Sequence, residues 1–335
     1  MPKRSPAERL DQAITALLAA AQPVPAANSN ATVARLVPLV RALRALPRAE
    51  FKAALKADLQ RRISMNEATA PSAAAARPAN FRRANFPNIA PYFLVHGAPA
   101  FVDFLVAAFE GTERIRVPRP DGSVMHAEVS IGNSVIEMGD ANEQYPQRPM
   151  NTHLYVPDAH ATYARALKAG ATEIYAPSDK HPSGDLWGAA KDPFGNTWYI
   201  ATRKDWSGGP EGFLAVQPYL HLRDAHKMIP FIEAALGAKA TGVHKSPDGI
   251  VRHATIEIAG ATLEIDEAQG DVQPTQSYLH VYVPDADALY AQAVAAGAEG
   301  LQAPYTAPYG ERSATISDPF GNTWFLATYL GGDQT

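Results

Sequence analysis

The 335-residue chain contains no cysteine, which removes several classes of site at once. Disulfides, cysteine nucleophiles, and zinc or iron–sulfur centres held by cysteine are all excluded. No apolar run approaches the roughly 18 residues of a membrane span. A net charge of −4 argues against the basic face that nucleic-acid binding requires. We therefore expect neither a membrane nor a nucleic acid among the partners.

The residues that are present are typical of a soluble globular protein, with 46% apolar and 19% charged side chains. At this length two or more domains are expected. Lys3 and Arg4 precede an apolar stretch, as in a signal peptide, but Glu8 and Asp11 interrupt the region and its leucines recur at helical spacing. We therefore predict an amphipathic helix and a cytoplasmic location.

The first part of the chain differs in pattern from the rest. Residues 1–65 show only helical patterns and are predicted to form an all-helical leader, and residues 66–87, rich in Ala, Pro and Asn, a linker. Between Arg41 and Arg62 there are seven Lys or Arg and two Asp or Glu. Two interpretations stay open: a solvated helix face, or a docking face for an acidic protein partner.

A series of short motifs occurs twice in the remaining sequence. Most copies are 127 residues apart: Pro91-Tyr92 and Pro218-Tyr219, His126 and His253, Glu137 and Glu264, His153 and His280. The segment Asp192–Trp198 recurs 126 residues later as Asp318–Trp324. Chance does not keep register over so many blocks, so the sequence contains a duplication.

Each copy divides again into two similar parts. In the first copy, helical patterns cover Ala98–Phe109 and Ala159–Ala169, and each is followed by three strand-like segments. The order predicts an α+β fold of four βαβββ modules, with helices on one surface of a sheet. We place the two domains at residues 88–203 and 214–330.

A βαβββ pair that ends in Asp-Pro-Phe-Gly-Asn-x-Trp, and whose second module opens with His-Leu-Tyr-Val-Pro-Asp, resembles the vicinal-oxygen-chelate superfamily. It is most similar to the glyoxalase/bleomycin-resistance branch that is called PhnB-like. The resemblance implies two tandem domains of this type with ligand clefts in curved sheets. Reactions vary widely within the superfamily, so the resemblance implies the fold rather than the activity.

In metal-dependent members the ligands lie on the first and last strands of paired modules, and the resemblance assigns these positions. The first-strand positions are Tyr92, His153, Tyr219 and His280, and the last-strand positions are Glu137, Tyr199, Glu264 and Phe325. Each repeat thus keeps one Glu and one His, fewer donors than a firm site requires. We expect no tightly bound cofactor, with a divalent metal held by Glu264 and His280 as the alternative.

The predicted catalytic residues are these Glu–His pairs, Glu137 with His153 and Glu264 with His280. Three interpretations stay open: a structural hydrogen-bonded pair, an acid–base pair that contacts a substrate, and a metal pair.

Seven further residues are candidates for substrate contact. His126 and His253 precede an apolar alternation and point to the opposite side of their strands, where they either line a pocket or are exposed to solvent. Tyr92, Tyr219, Trp198 and Trp324 are candidates for a pocket wall, with core packing as the alternative. Arg312, in a Gly-Glu-Arg loop, is either a partner for an anionic group or a solvated arginine.

Leu186 stands where Arg312 stands in the second repeat, so the two domains are expected to bind ligands unequally. The expected function is binding of a small molecule without a complete metal site. The first alternative is a metal-dependent lyase, isomerase or dioxygenase-like enzyme on a vicinal-oxygen substrate. The second is a ligand-sensing regulatory protein that acts through the helical leader.

Overall fold

A computed structural model describes residues 80–180, 184–205, 214–270 and 272–331. The predicted leader and most of the predicted linker therefore lie outside the described residues. None of the described helices is long and apolar enough to cross a membrane.

The described chain forms four βαβββ modules, which confirms the predicted fold class. Module 1 contains β1 (Ile89–Val95), α1 (Ala98–Phe109), β2 (Thr112–Pro118), β3 (Val124–Ile131) and β4 (Ser134–Asp140). Module 2 contains β5 (Asn151–Tyr155), α2 (Ala159–Lys168), β6 (Thr172–Ser178), β7 (Leu186–Lys191) and β8 (Thr197–Thr202). Module 3 contains β9 (Val216–Leu222), α3 (Ala225–Leu236), β10 (Lys239–Lys245), β11 (Val251–Ile258) and β12 (Ala261–Glu267). Module 4 contains β13 (Tyr278–Tyr282), α4 (Ala286–Ala295), β14 (Glu299–Ala307), β15 (Glu311–Ser317) and β16 (Thr323–Tyr329).

The modules pair between the two sequence repeats, a choice that the sequence left open. Sheet 1 has the strand order β14-β15-β16-β13-β1-β4-β3-β2 and combines modules 1 and 4. Sheet 2 has the order β10-β11-β12-β9-β5-β8-β7-β6 and combines modules 2 and 3. At the junctions β1 runs antiparallel to β13, with Ala90 opposite His280, and β5 runs antiparallel to β9, with His153 opposite Gln217.

The helices of each repeat pack in a hydrophobic core that contains residues of both sheets. One hydrophobic core joins modules 1 and 2 and includes Phe93 and Trp198, and another joins modules 3 and 4 and includes Leu220 and Trp324. The cores thus follow the repeats while the sheets cross between them. Each sheet buries its helix-bearing face, and we call the opposite face its outer face.

The repeated sequence motifs are explained by local structure. Asp158 and Asp285, from the Val-Pro-Asp motifs, accept the backbone N–H three residues on and cap α2 and α4. Asp192 accepts hydrogen bonds from its own turn and from the indole of Trp198, and Asp318 does the same for Trp324. The motif is therefore a structural turn, as its Pro and Gly predict.

A short segment before β1 packs on the outer face of sheet 1. The Phe81 carbonyl accepts the Tyr329 N–H at 2.8 Å, and Phe86 is only 1% exposed. The Arg83 guanidinium lies 4.9 Å from the centre of the Phe86 ring. We call residues 80–87 the strap; although predicted to be linker, they are part of the sheet 1 structure.

Candidate functional site

The outer face of sheet 1 carries a cavity of about 640 Å³. Strands of modules 1 and 4 and the strap all contribute to its wall. Its aromatic lining is Tyr92, Tyr145, Tyr282, Tyr305, Tyr309 and Phe325. Its ionisable lining also includes Arg83, Arg119, His126, Glu137, His280 and Glu311. A concave, largely aromatic pocket with a few convergent polar groups is the usual form of a small-molecule site.

In sheet 1 the Glu and His at family metal positions come from different repeats. Nδ1 of His280 lies 2.7 and 2.9 Å from the two carboxylate oxygens of Glu137, and both side chains are buried. Burial alone would lower the pKa of His280, but the charge and hydrogen bond of Glu137 raise it above its usual value. The remaining two positions hold Tyr92 and Phe325, whose ring centres are 5.3 Å apart.

The predicted Glu–His pairs are therefore wrong in their partners. Glu264 and His280 lie in different sheets, and so do Glu137 and His153. The cause is the crossed pairing of modules, which exchanges the histidines between the two glutamates. In particular, Glu264 and His280 do not form the metal pair considered from the sequence.

A chain of polar contacts links the cavity to the strap. The Tyr92 hydroxyl lies 3.2 Å from Nδ1 of His126, whose Nε2 lies 3.1 Å from the Glu128 carboxylate. Glu128 also accepts two hydrogen bonds from the Arg83 guanidinium. Burial alone would raise the pKa of Glu128, but the bonds from His126 and Arg83 lower it to about 2. Since a carboxylate only accepts, Nε2 of His126 carries the ring proton and Tyr92 donates to Nδ1.

Other buried carboxylates of the site are also paired. The Tyr282 hydroxyl donates to Glu311, which is 4% exposed. Tyr305 and Tyr309 stand at the mouth of the cavity, where they are 41% and 45% exposed. The cavity thus combines a polar base with an aromatic rim that is open to solvent.

Sheet 2 brings the other four family positions together: His153, Tyr199, Tyr219 and Glu264. Glu264 bonds to His153, accepts the Tyr155 hydroxyl at 3.2 Å, and lies 3.7 Å from Nε2 of His253. Burial alone would raise the pKa of Glu264, but the two histidines hold it well below its usual range. The hydrogen bond to Glu264 in turn raises the pKa of His253.

A second chain of hydrogen bonds lies beside this pair. Nδ1 of His221 bonds to Asp266, and Nε2 lies 2.8 Å from the Tyr199 hydroxyl. Asp266 also accepts the Tyr219 hydroxyl at 2.8 Å. Burial raises the pKa of Tyr219 far above its usual range, and burial with the charge of Asp266 raises that of Tyr199 to about 12. Both phenols are therefore neutral at physiological pH.

The donors present do not fit a resident divalent metal. Within the described residues, no group of three or more His, Asp or Glu side chains is placed to hold an ion. Phe325 has no donor atom. A phenol whose pKa lies far above neutrality is a poor ligand, which discounts Tyr92, Tyr199 and Tyr219. Each Glu is already bonded to its His.

Three candidate contact residues lie away from the cavity wall. Trp198 and Trp324 are fully buried in the two cores, which is the alternative that the sequence left open. Each immediately precedes a residue on the outer face, so the strand alternation turns it inward. Arg312 is also on the helix side of its strand, where it forms an ion pair with Asp287 of α4.

The other candidates lie on the two outer faces. Tyr92 and His126 line the sheet 1 cavity, while Tyr219 and His253 belong to sheet 2. The sequence analysis missed Glu128, His221 and Asp266, each two residues from a candidate or family position on the same strand. Residues two positions apart on a strand point to the same face of the sheet, so this spacing was a signal for them. It also missed Arg83, whose segment has no strand pattern.

Comparisons with known proteins agree with this fold. The sequence profile described as the Glyoxalase/Bleomycin resistance protein/Dioxygenase superfamily matches residues 91–200 and 219–326. An uncharacterised protein of Mycobacterium bovis is 36% identical over 128 residues, which cover 34% of this chain and 82% of that protein. A Mycobacterium tuberculosis protein, also uncharacterised, has the same identity over the same length, and 73% of it is covered.

Two solved structures share the fold across most of the described chain. Glyoxalase I from Zea mays is 17% identical, with a TM-score of 0.57 over 72% of this chain and 92% of that one. A putative dioxygenase from Bacillus subtilis is 14% identical, with a TM-score of 0.50 over 75% of this chain and 87% of that one. At such identities the likeness concerns the fold alone.

The ion pairs of Glu128 give a prediction about stability. Because its pKa is lowered from 4.5 in a model peptide to about 2 in the folded protein, ionised Glu128 stabilises the fold at neutral pH. We expect Glu128→Gln to lower the free energy of unfolding by about 3 kcal/mol at pH 7. Since the wild-type advantage is present above pH 4.5 and lost as the pH falls toward 2, the difference should shrink across that window.

Urea unfolding of both proteins at several pH values measures this difference. The control is Glu143→Gln, at an exposed glutamate, which should differ little from wild type at any pH. A Glu128→Gln protein as stable as wild type at pH 7 would contradict the assignment.

Proposed function

Since the chain belongs to the Glyoxalase/Bleomycin resistance protein/Dioxygenase superfamily, we propose that it binds a small molecule on the outer face of sheet 1 without a resident metal. The observation that carries this proposal is the cavity of about 640 Å³, which is within the range that encloses a drug-sized ligand. Both repeats contribute to its wall, so the ligand would be held across the junction of modules 1 and 4.

The lining suggests the character of the ligand. Tyr92, Tyr145 and Phe325 lie close together inside, with ring centres 5.3 and 5.6 Å apart, and favour a flat or aromatic group. Tyr305 and Tyr309 extend this surface to the mouth. At the base, Glu137 with His280 and Glu311 with Tyr282 offer hydrogen bonds of fixed geometry.

The absence of a resident metal follows, in this proposal, from the chemistry of the donors. Glu137 and His280 are two donors where a firm site requires more, and Phe325 and neutral Tyr92 add none. The metal-dependent enzyme predicted as an alternative is therefore less well supported than binding. The regulatory alternative depends on the leader, which lies outside the described residues.

Restoring donors at the two altered positions should create a metal site. We expect the double variant Tyr92→His, Phe325→Glu to retain about one Zn²⁺ or Ni²⁺ per chain after dialysis, because His and Glu complete a set of four donors. Wild type treated in the same way should retain less than about 0.1 ion per chain, as measured by elemental analysis. Near-stoichiometric metal in wild type would contradict the proposal.

Filling the cavity should abolish ligand binding. Ser313 lies on the cavity wall, so Ser313→Phe places a ring in the space that the ligand would occupy. We expect aromatic fragments that bind wild type to bind this variant at least about tenfold more weakly. Saturation-transfer-difference NMR with a panel of aromatic fragments measures the binding.

The matched control is Thr306→Phe on the neighbouring strand β14. Thr306 pairs with Arg312, which is on the helix side of sheet 1, so the added ring points away from the cavity. Its fragment binding should equal that of wild type. If Ser313→Phe binds the same fragments as tightly as Thr306→Phe, the cavity is not the binding site.

A further inference from the structure

The wall of the sheet 1 cavity includes two arginines that differ in their partners. Arg83 donates two hydrogen bonds to the Glu128 carboxylate. Arg119 donates instead to two uncharged oxygens, the Ser123 hydroxyl at 3.3 Å and the Val124 carbonyl at 2.9 Å. Over the described ranges of the chain, no carboxylate oxygen lies within ion-pair distance of Arg119. This arginine therefore brings a positive charge to the cavity wall that no ion pair neutralises.

Strand alternation directs Arg119 to the cavity. Ile115, Val117 and Arg119 are spaced by two along β2 and the residue that follows it, and all three line the cavity wall. The residues between them are exposed. Burial raises the pKa of Tyr92 above its usual range, and the positive charge of Arg119 opposes that rise. The guanidinium and the aromatic lining therefore belong to the same site.

The contacts of Arg119 with its own turn leave one edge of the guanidinium open. Nη1 makes both contacts, so Nε and Nη2 have no partner among the residues that the structure describes. These two nitrogens present parallel N–H groups along one edge of the planar guanidinium. Their spacing matches the two oxygens of a carboxylate, which accepts both hydrogen bonds at once. The open edge is therefore suited to a carboxylate.

Two acidic residues lie near this turn, but their oxygens are bonded elsewhere. Asp121 accepts hydrogen bonds from the backbone N–H and the hydroxyl of Ser123. Asp140 accepts two backbone N–H groups at the start of α1 and that of Val124. Neither carboxylate occupies the open edge of Arg119, which remains available to a ligand.

The second repeat shows that the turn does not require an arginine. The repeat offset aligns Arg119 with Ser246. In both copies the backbone N–H of this residue donates to the carbonyl four positions later, that of Ser123 in the first copy and that of Ile250 in the second. The Ser246 hydroxyl also donates to the Ile250 carbonyl, at 3.3 Å. Arg119 therefore adds a cation to the sheet 1 cavity that the fold of the turn does not need.

We propose that the ligand of the sheet 1 cavity is an ionised aromatic carboxylic acid, whose carboxylate binds Nε and Nη2 of Arg119. This inference rests on the function proposed above and adds the chemical class of the ligand. The flat body of the ligand packs against Tyr92 and Phe325. Glu137 and Glu311 lie on β4 and β15, away from the β2 edge of the sheet, and repel an anion. The carboxylate is therefore oriented toward Arg119.

Two fragments of nearly the same shape, 2-naphthoate and 2-naphthamide, test this assignment. They differ in charge and in one acceptor oxygen, and NMR titration at pH 7 gives their dissociation constants. We expect wild type to bind 2-naphthoate at least about tenfold more tightly than 2-naphthamide. In Arg119→Ser, which introduces the residue found in the second repeat, this preference should disappear because the affinity for 2-naphthoate falls while that for 2-naphthamide is unchanged.

The matched control is Arg116→Ser, at an exposed arginine of the same strand. It changes the net charge of the chain by the same amount and should keep the wild-type preference. Circular dichroism checks the fold of each variant, and Arg119→Gln takes the place of Arg119→Ser if the latter does not fold.

The possible results separate this inference from the proposed function. Equal binding of both fragments to wild type, or a preference for 2-naphthoate that survives in the folded Arg119 variant, overturns the carboxylate assignment. A preference that persists in Ser313→Phe places the carboxylate outside the cavity and overturns it as well. If wild type binds neither fragment, this inference falls, and if it binds none of the aromatic panel, the proposed function falls with it.

Discussion

Strand pairing between the repeats, β1 with β13 and β5 with β9, is the constraint on which the rest of the structure depends. It brings Glu137 to His280 and Glu264 to His153. A buried carboxylate is costly unless it is paired. Each sheet therefore depends on a histidine from the other half of the sequence as the partner of its buried glutamate.

The same pairing decides the chemistry of each outer face. If modules had paired within repeats, Tyr92 and Tyr199 would have shared one site with Glu137 and His153. Instead Tyr92 meets Phe325 in sheet 1, and Tyr199 meets Tyr219 in sheet 2. One face thus gains an aromatic cavity with little capacity for a metal, and the other gains the phenol that contacts His221. The two sheets have the same topology, and a few sequence differences between the repeats make their outer faces chemically different.

The strap contributes further stabilising contacts to the outer face of sheet 1. Arg83 neutralises Glu128, while Phe86 packs edge-on against Tyr282 at a ring distance of 5.3 Å. Without Arg83, the buried Glu128 would lose the shorter of its two ion pairs with arginine. Residues outside the repeated fold therefore complete the site.

The sequence was sufficient to predict the local structure but not the pairing of modules. Helix α1 begins and ends at the predicted residues, because its apolar spacing and its flanking Gly97 are local signals. Pairing is different: the first strands of all four modules are alike, and nothing local selects a partner. The predicted Glu–His partners were wrong for that reason alone.

At the level of side chains, strand alternation carried most of the information. It correctly directed His126 to the outer face, and it also places Trp198 inward and His221 outward. Arg83 lay beyond such reasoning, because it is not on a strand and its contact with Glu128 joins residues that are 45 positions apart. Its segment has no period from which a partner can be predicted.

Cross-linking of β1 tests the pairing between repeats most directly. The chain has no native cysteine, and Ile89 lies opposite Val281 in the antiparallel junction, a spacing compatible with a disulfide. The double variant Ile89→Cys, Val281→Cys should form an intramolecular disulfide in the monomer, detected by peptide mass spectrometry. Ile89→Cys with Leu154→Cys, which tests pairing within a repeat, should form none. A disulfide in the second variant and not in the first would contradict the account.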